Sequence, residues 1–135
     1  MHVNNTYFAE QSEPAHLVAL LRWRAQHDPD RQAYAFLGDG DLSSQLVDTV
    51  TFAELDQQAR TLAAALQARA QVGERVLLLF PPGLEFIAAY FGCLYAGMIA
   101  VPSYPPRPNR YSTRLTGIIQ DSQPKLALTT PDILK

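Results

Sequence analysis

The sequence predicts an α/β fold: a three-layer-type parallel or mixed sheet with flanking helices. Residues 75–80 read Arg-Val-Leu-Leu-Leu-Phe, a continuous apolar run of the kind a parallel sheet buries on both faces. Helix-length and strand-length patterns then alternate, with a helix over 84–96, a strand over 98–101, a helix over 112–121 and a strand over 125–129. Right-handed crossovers make these three strands parallel and lay helices on at least one face of the sheet.

Each element has a local cause. Ser12 and Pro14 form a helix-opening pair, and Leu17, Leu20, Leu21 and the stem of Arg24 recur at helical spacing until Asp28-Pro29. Ala33 to Leu37 and Leu46 to Thr51 read as the arms of a hairpin around Gly38-Asp39-Gly40-Asp41. Thr51 and Glu54 have the spacing of a capping box in front of Leu55, Ala59, Leu62, Ala63 and Leu66, so a second helix starts there and ends near Gly73. Pro81-Pro82-Gly83 turns the chain into the third helix, and Gly97 is placed to cap it. Thr130-Pro131-Asp132 carries the signature of a further helix start.

Composition narrows the function classes. With 47% hydrophobic and 10% aromatic residues, a chain of 135 residues has enough apolar content for an ordered core. The net charge of −2 provides no general attraction to nucleic acid, and none is expected as a partner. The charge is uneven: residues 1–101 hold six basic against eleven acidic residues, and residues 102–135 hold five against two, giving −5 and +3. The single cysteine, Cys93, can form neither an internal disulfide nor a zinc site by itself, which fits a reducing compartment. No basic start followed by an apolar run opens the chain, and cytoplasm is the expected location. The uncharged stretch from Phe86 to Val101 is bounded by prolines and interrupted by Gly97, too short for the about 20 residues of a membrane span.

Phosphate-loop, dinucleotide-fingerprint and hydrolase-elbow motifs are all missing from the sequence. Gly38 to Asp41 lacks the alternating ligands and closing glutamate of a calcium loop and reads as a turn. His2, His16 and His27 are dispersed, and His27 sits at a helix C-terminus, where a partly cationic ring is favourable. Cys93 lies in the most apolar helix without a basic neighbour, the setting of a buried structural thiol. The unusual segment is Ser103 to Tyr111, with three arginines counting Arg114, two tyrosines and three prolines just past a parallel strand. Open α/β sheets place ligand loops there. The segment reads in three ways: an anion or substrate contact, a rigid crossover with arginines facing water, or a polyproline ligand built on Pro105 and Pro108.

Four strings carry a family resemblance. Thr51-Phe52-Ala53-Glu54-Leu55 with the helix to Leu66, and Leu94-Tyr95-Ala96-Gly97-Met98-Ile99-Ala100-Val101-Pro102, resemble the first two core motifs of the adenylate-forming (AMP-binding) ligases. Leu78 to Phe86, and above all Val101-Pro102-Ser103-Tyr104-Pro105-Pro106-Arg107-Pro108, resemble the fatty-acyl-AMP ligase branch. The resemblance runs from Ser12 to Lys135, so residues 1–135 are expected to be the N-terminal segment of an acyl-adenylating large domain, cut after 135.

For a complete enzyme the resemblance implies that fatty acid and ATP give acyl-AMP and pyrophosphate with Mg²⁺. The acyl group then passes to the phosphopantetheine thiol of an acyl carrier protein in lipid, polyketide or lipopeptide assembly. The family's phosphate loop, metal-side acid, ribose aspartate and C-terminal lysine have no matching positions here. No catalytic, cofactor-binding or metal residue is therefore carried over, and the segment alone is expected to be inactive and without cofactor. Tyr104, Arg107, Asn109 and Arg110 are the candidates for a substrate or partner contact. The alternative is a stand-alone interaction module using loop 102–111. A cut sheet would expose apolar surface and a strand edge, which favours self-association.

Overall fold

The computed structural model describes residues 14–38 and 47–134. The first helix, α1 (Leu17–His27), begins three residues after Pro14 because His16 occupies the cap, its Nδ1 accepting the Ala19 N–H at 3.1 Å. Ser12 lies outside the described residues. At the other end His27 Nδ1 donates to the Trp23 carbonyl at 2.8 Å and its ring stacks on Trp23, while Arg24 pairs with Asp28 at 3.1 Å. Strands β1 (Gln32–Leu37) and β2 (Val47–Thr51) pair antiparallel as the expected hairpin arms, Leu37 opposite Val47 and Tyr34 opposite Val50. Asp39 to Asp41 of the expected turn, and Leu46, lie outside the described residues.

The capping box is present. At the head of α2 (Phe52–Gln67), Thr51 Oγ1 accepts the Glu54 N–H at 3.2 Å and Glu54 Oε2 accepts the Thr51 N–H at 2.8 Å. The helix ends at Gln67, well before Gly73. Beyond Leu66 no residue of that face is buried, and the Leu66 carbonyl accepts from both Arg69 and Ala70. Gly73, at φ +85°, serves the following turn, where its N–H donates to the Gly97 carbonyl at 2.9 Å.

The central strand is β3 (Arg75–Leu79). It pairs in parallel with β4 (Ile99–Ser103) on one side and β5 (Leu126–Thr129) on the other, giving the order β4-β3-β5. Strand β4 continues two residues past its expected end at Val101. Pro102 lacks an N–H, but it sits on a strand whose one pairing among the described residues is with β3, so no ladder bond is lost. Helix α3 (Leu84–Tyr95) connects β3 to β4 and closes on Gly97 at φ +73°, with Met98 N–H to the Cys93 carbonyl and Gly97 N–H to the Leu94 carbonyl. Helix α4 (Thr113–Ser122), capped by Ser112, connects β4 to β5. Because the two crossovers run in opposite directions across the sheet, equal handedness puts α3 and α4 on opposite faces. At the expected helix start, two consecutive turns follow Thr130, Ile133 N–H donating to Thr130 O and Leu134 N–H to Pro131 O.

Val76 and Leu78, both fully buried, pack with Ala63, Leu66, Ala89, Cys93 and Met98 in the main core. A second cluster under the hairpin joins Leu21, Val50, Leu55, Ala59, Ala88 and Phe91. Helices α2 and α3 meet at Gly92, where an added Cβ would lie 2.7 Å from Leu62 Cβ. Overpacking there costs about 1–3 kcal/mol, against the ~1 kcal/mol of helix propensity that alanine gains over glycine. Gly92→Ala is therefore expected to lower the unfolding free energy by roughly 1 kcal/mol in a urea titration.

One polar group enters this interface. Asp56, 7% exposed, accepts the Tyr95 hydroxyl at 2.7 Å and pairs with Arg60 at 2.7 Å. Burial, then the hydrogen bond to Asp56, raises the Tyr95 pKa well above the ordinary tyrosine range. Below about pH 10 both folded and unfolded chains keep this proton; above it the unfolded chain releases it first, so stability falls as pH rises. Tyr95→Phe is expected to cost about 1–2 kcal/mol near neutrality. It should also flatten the loss of stability between about pH 9 and pH 11, which urea midpoints across that range will read.

Candidate functional site

Strands β3 and β4 are neighbours whose following loops leave toward helices on opposite faces. Such an arrangement opens a crevice at the C-terminal ends of the two strands. A hollow of about 270 Å³ lies there, walled by Phe80, Phe86, Pro102 and Ile118, with Tyr104 and Arg114 contributing. It adjoins a second hollow of about 290 Å³, lined by Arg107, Arg110 and Arg114 together with Tyr104, Tyr111 and Ser112. Ser103, Tyr104 and Arg114 belong to both.

The loop therefore brings three of the four candidate residues, Tyr104, Arg107 and Arg110, to one hollow. Asn109 lines neither hollow; it takes φ +57° inside the turn that Arg110 N–H closes onto the Arg107 carbonyl at 3.2 Å. Asparagine tolerates this left-handed conformation better than most residues. Arg114 is an addition to the candidate set. It stands in the first turn of α4 with its guanidinium 6.0 Å from the Tyr104 ring centroid, a contact that links the two ends of the loop. Tyr104 and Tyr111 are exposed, at 78% and 83%.

The electrostatics are one-sided. Among the described residues no Asp or Glu lines either hollow, and none of Arg107, Arg110 and Arg114 forms an ion pair. On the other side of Phe80 lies a larger cleft of about 780 Å³ between α2, α3 and the end of β5, with Thr61, Glu85, Ala88, Leu128 and Thr130 in its wall. Its lining comes from many separate segments, so no contiguous motif announces it.

Cys93, Glu54 and Asp56 are structurally occupied. Cys93 is fully buried, and burial pushes its thiol up to about 11. Glu54 is spent on the capping box and Asp56 on Tyr95 and Arg60. Among the described residues no group of three His, Cys, Asp or Glu side chains is placed to hold a metal ion. No described helix is long and apolar enough to cross a membrane.

A short parallel sheet under flanking helices, with its crevice at the strand ends, matches the N-terminal domain of adenylate-forming enzymes. The AMP-binding enzyme family model matches residues 21–135, and the chain belongs to that family. It is 45% identical over 116 residues to the medium-chain-fatty-acid–[acyl-carrier-protein] ligase JamA of Moorena producens, covering 84% of this chain and 19% of that one. It is 40% identical over 124 residues to Disco-interacting protein 2 homolog B-A of Danio rerio, covering 88% of this chain and 8% of that one. The Legionella pneumophila fatty acyl-adenylate ligase, solved in complex with acyl adenylate and pyrophosphate, superposes with a TM-score of 0.80 at 43% identity. That match covers 87% of this chain and 20% of the other. The chain thus spans about a fifth or less of the length of these relatives.

The burial of Cys93 makes a chemical expectation. At about pH 8 an aromatic disulfide reagent should leave the native chain unmodified and titrate one thiol after unfolding in urea.

Proposed function

We propose that this segment is scaffold from a fatty-acyl-AMP ligase. In the complete protein a fatty-acid carboxylate oxygen attacks the α-phosphorus of ATP, pyrophosphate leaves and acyl-AMP forms, and bound Mg²⁺ would supply charge neutralisation on the phosphates. The phosphopantetheine thiol of an acyl carrier protein then attacks the acyl carbonyl and AMP leaves. The observation that carries this reading is the 45% identity to a fatty-acid–acyl-carrier-protein ligase across 84% of the chain. The likeness to the Legionella ligase supports the same branch.

In this reading the segment contributes position rather than chemistry. Strand β3 and its two parallel partners form a rigid floor, and loop 104–112 carries contact residues to the strand ends, with Tyr104, Arg107 and Arg110 facing the hollow and Asn109 shaping the turn between the arginines. The 135 residues contain no Ser/Thr/Gly-rich loop ending in lysine to cradle triphosphate.

Pyrophosphate release tests the proposal. The 135-residue chain with ATP, Mg²⁺ and a long-chain fatty acid should release none. The product of the reading frame carried through and past the Lys135 codon should release pyrophosphate only when the acid is present. Acid-dependent release by the short chain would overturn the scaffold role, and acid-independent behaviour of the longer product would overturn the ligase reading. A second reading takes the loop as a partner ligand, with the exposed Tyr104 and Tyr111 as its contact side chains. That reading requires a peptide spanning Tyr104 to Tyr111 to bind an SH3-type domain by itself.

A further inference from the structure

Three arginines, Arg107, Arg110 and Arg114, line one hollow of about 290 Å³ between β4 and α4, and among the described residues no carboxylate lines it or pairs with them. Bringing like charges together is unfavourable unless something of opposite sign offsets it. The hollow also offers hydroxyls. Ser112 Oγ accepts the Leu115 N–H at 3.2 Å, which leaves its proton to donate, and Tyr111 carries a second O–H.

The shape of the charge selects the anion. One guanidinium fork satisfies a planar carboxylate, whereas three forks and two hydroxyls suit a tetrahedral group with several acceptor oxygens, a phosphate mono- or diester. The neighbouring hollow selects the remainder of the ligand. It is walled by Phe80, Phe86, Pro102 and Ile118 and shares Ser103, Tyr104 and Arg114 with the arginine hollow. A molecule with a phosphate at one end and a neutral, partly apolar arm can occupy both.

We propose that loop 104–112 and the first turn of α4 form a phosphate-ester subsite, the arginines holding the phosphate and the Phe80–Phe86–Ile118 hollow taking the arm. In taking the arm to be a carrier's phosphopantetheine, the proposal rests on the ligase reading above; a nucleotide phosphate is the other source of the same chemistry.

Calorimetric titration of the chain with four probes separates the contributions: 4′-phosphopantetheine, pantetheine, inorganic phosphate and AMP. The expected result is that 4′-phosphopantetheine binds at least about tenfold more tightly than pantetheine or inorganic phosphate. Arg107→Gln, Arg110→Gln and Arg114→Gln should each weaken it roughly fivefold, the modest value suited to exposed charges, and 0.5 M salt should weaken it further. Ile118→Ser should weaken 4′-phosphopantetheine while leaving inorganic phosphate unchanged.

AMP binding as tight as that of 4′-phosphopantetheine, with the same arginine dependence, would support the subsite and make a nucleotide its source. Equal affinity for pantetheine and 4′-phosphopantetheine would overturn the proposal. So would undiminished binding by the triple arginine variant with an unchanged circular dichroism spectrum. The three arginines are exposed, so each single variant should fold and remain informative if the triple one does not. Binding is read without turnover, so failure here leaves the pyrophosphate assay, and the ligase reading with it, standing.

Discussion

The rest of the structure depends on burying β3 from both faces at once. Val76, Leu77 and Leu78 are 0%, 3% and 0% exposed, a degree of burial that no single covering helix could produce. Val76 and Leu78 point into the layer built by α2 and α3, and alternation along the strand turns Leu77 to the opposite face, the one the second crossover assigns to α4. Parallel pairing supplies that burial, since each partner strand returns by a crossover helix that covers one face. The apolar run, the strand order and the placement of α3 and α4 are one constraint seen at three scales.

The candidate site follows from that constraint. Parallel register sets Pro102 opposite Leu78 and Ser103 opposite Leu79, so the first residues of the arginine loop emerge level with the end of the central strand. On the far side Thr129 is held to the same level by its Oγ1–H donating to the Leu79 carbonyl at 2.7 Å. Arg75 closes the opposite end, its Nε donating to the Ser122 carbonyl at 2.7 Å and tying the exit of α4 to the start of β3. With α4 fixed at its C-terminus, its first turn, and Arg114 with it, has a defined position over the crevice.

What the sequence revealed was whatever is decided locally. The Thr51–Glu54 box, the Gly97 cap and the apolar run of β3 are each specified within a few residues, and all three stand as read. What it concealed depends on distant partners. The end of α2 at Gln67 is concealed because Gly73, which looks like its stop, is engaged with Gly97 from a different turn. The full length of β4 is concealed because Pro102 reads as a terminator unless its strand is known to pair, among the described residues, with β3 alone. The His16 cap escapes because an imidazole acceptor is not among the usual capping side chains. In the site, Tyr104, Arg107 and Arg110 were legible from one unusual string, whereas Arg114 joins them through the fold of the loop back onto α4.

The prolines explain how such a loop can be both charged and shaped. Pro105, Pro106 and Pro108 each hold φ near a single value and restrict the residue before them, so Arg107, preceding Pro108, is kept out of helical geometry. The left-handed Asn109 and the Arg110–Arg107 turn then reverse the chain within four residues. Much of the conformational entropy that a flexible loop would lose on gathering three arginines is thus already absent from the unfolded chain. A flexible loop of the same composition would let the guanidinium groups drift apart to relieve their repulsion. A stiff one keeps them near a common hollow, which is the arrangement in which an incoming anion gains most and orders least.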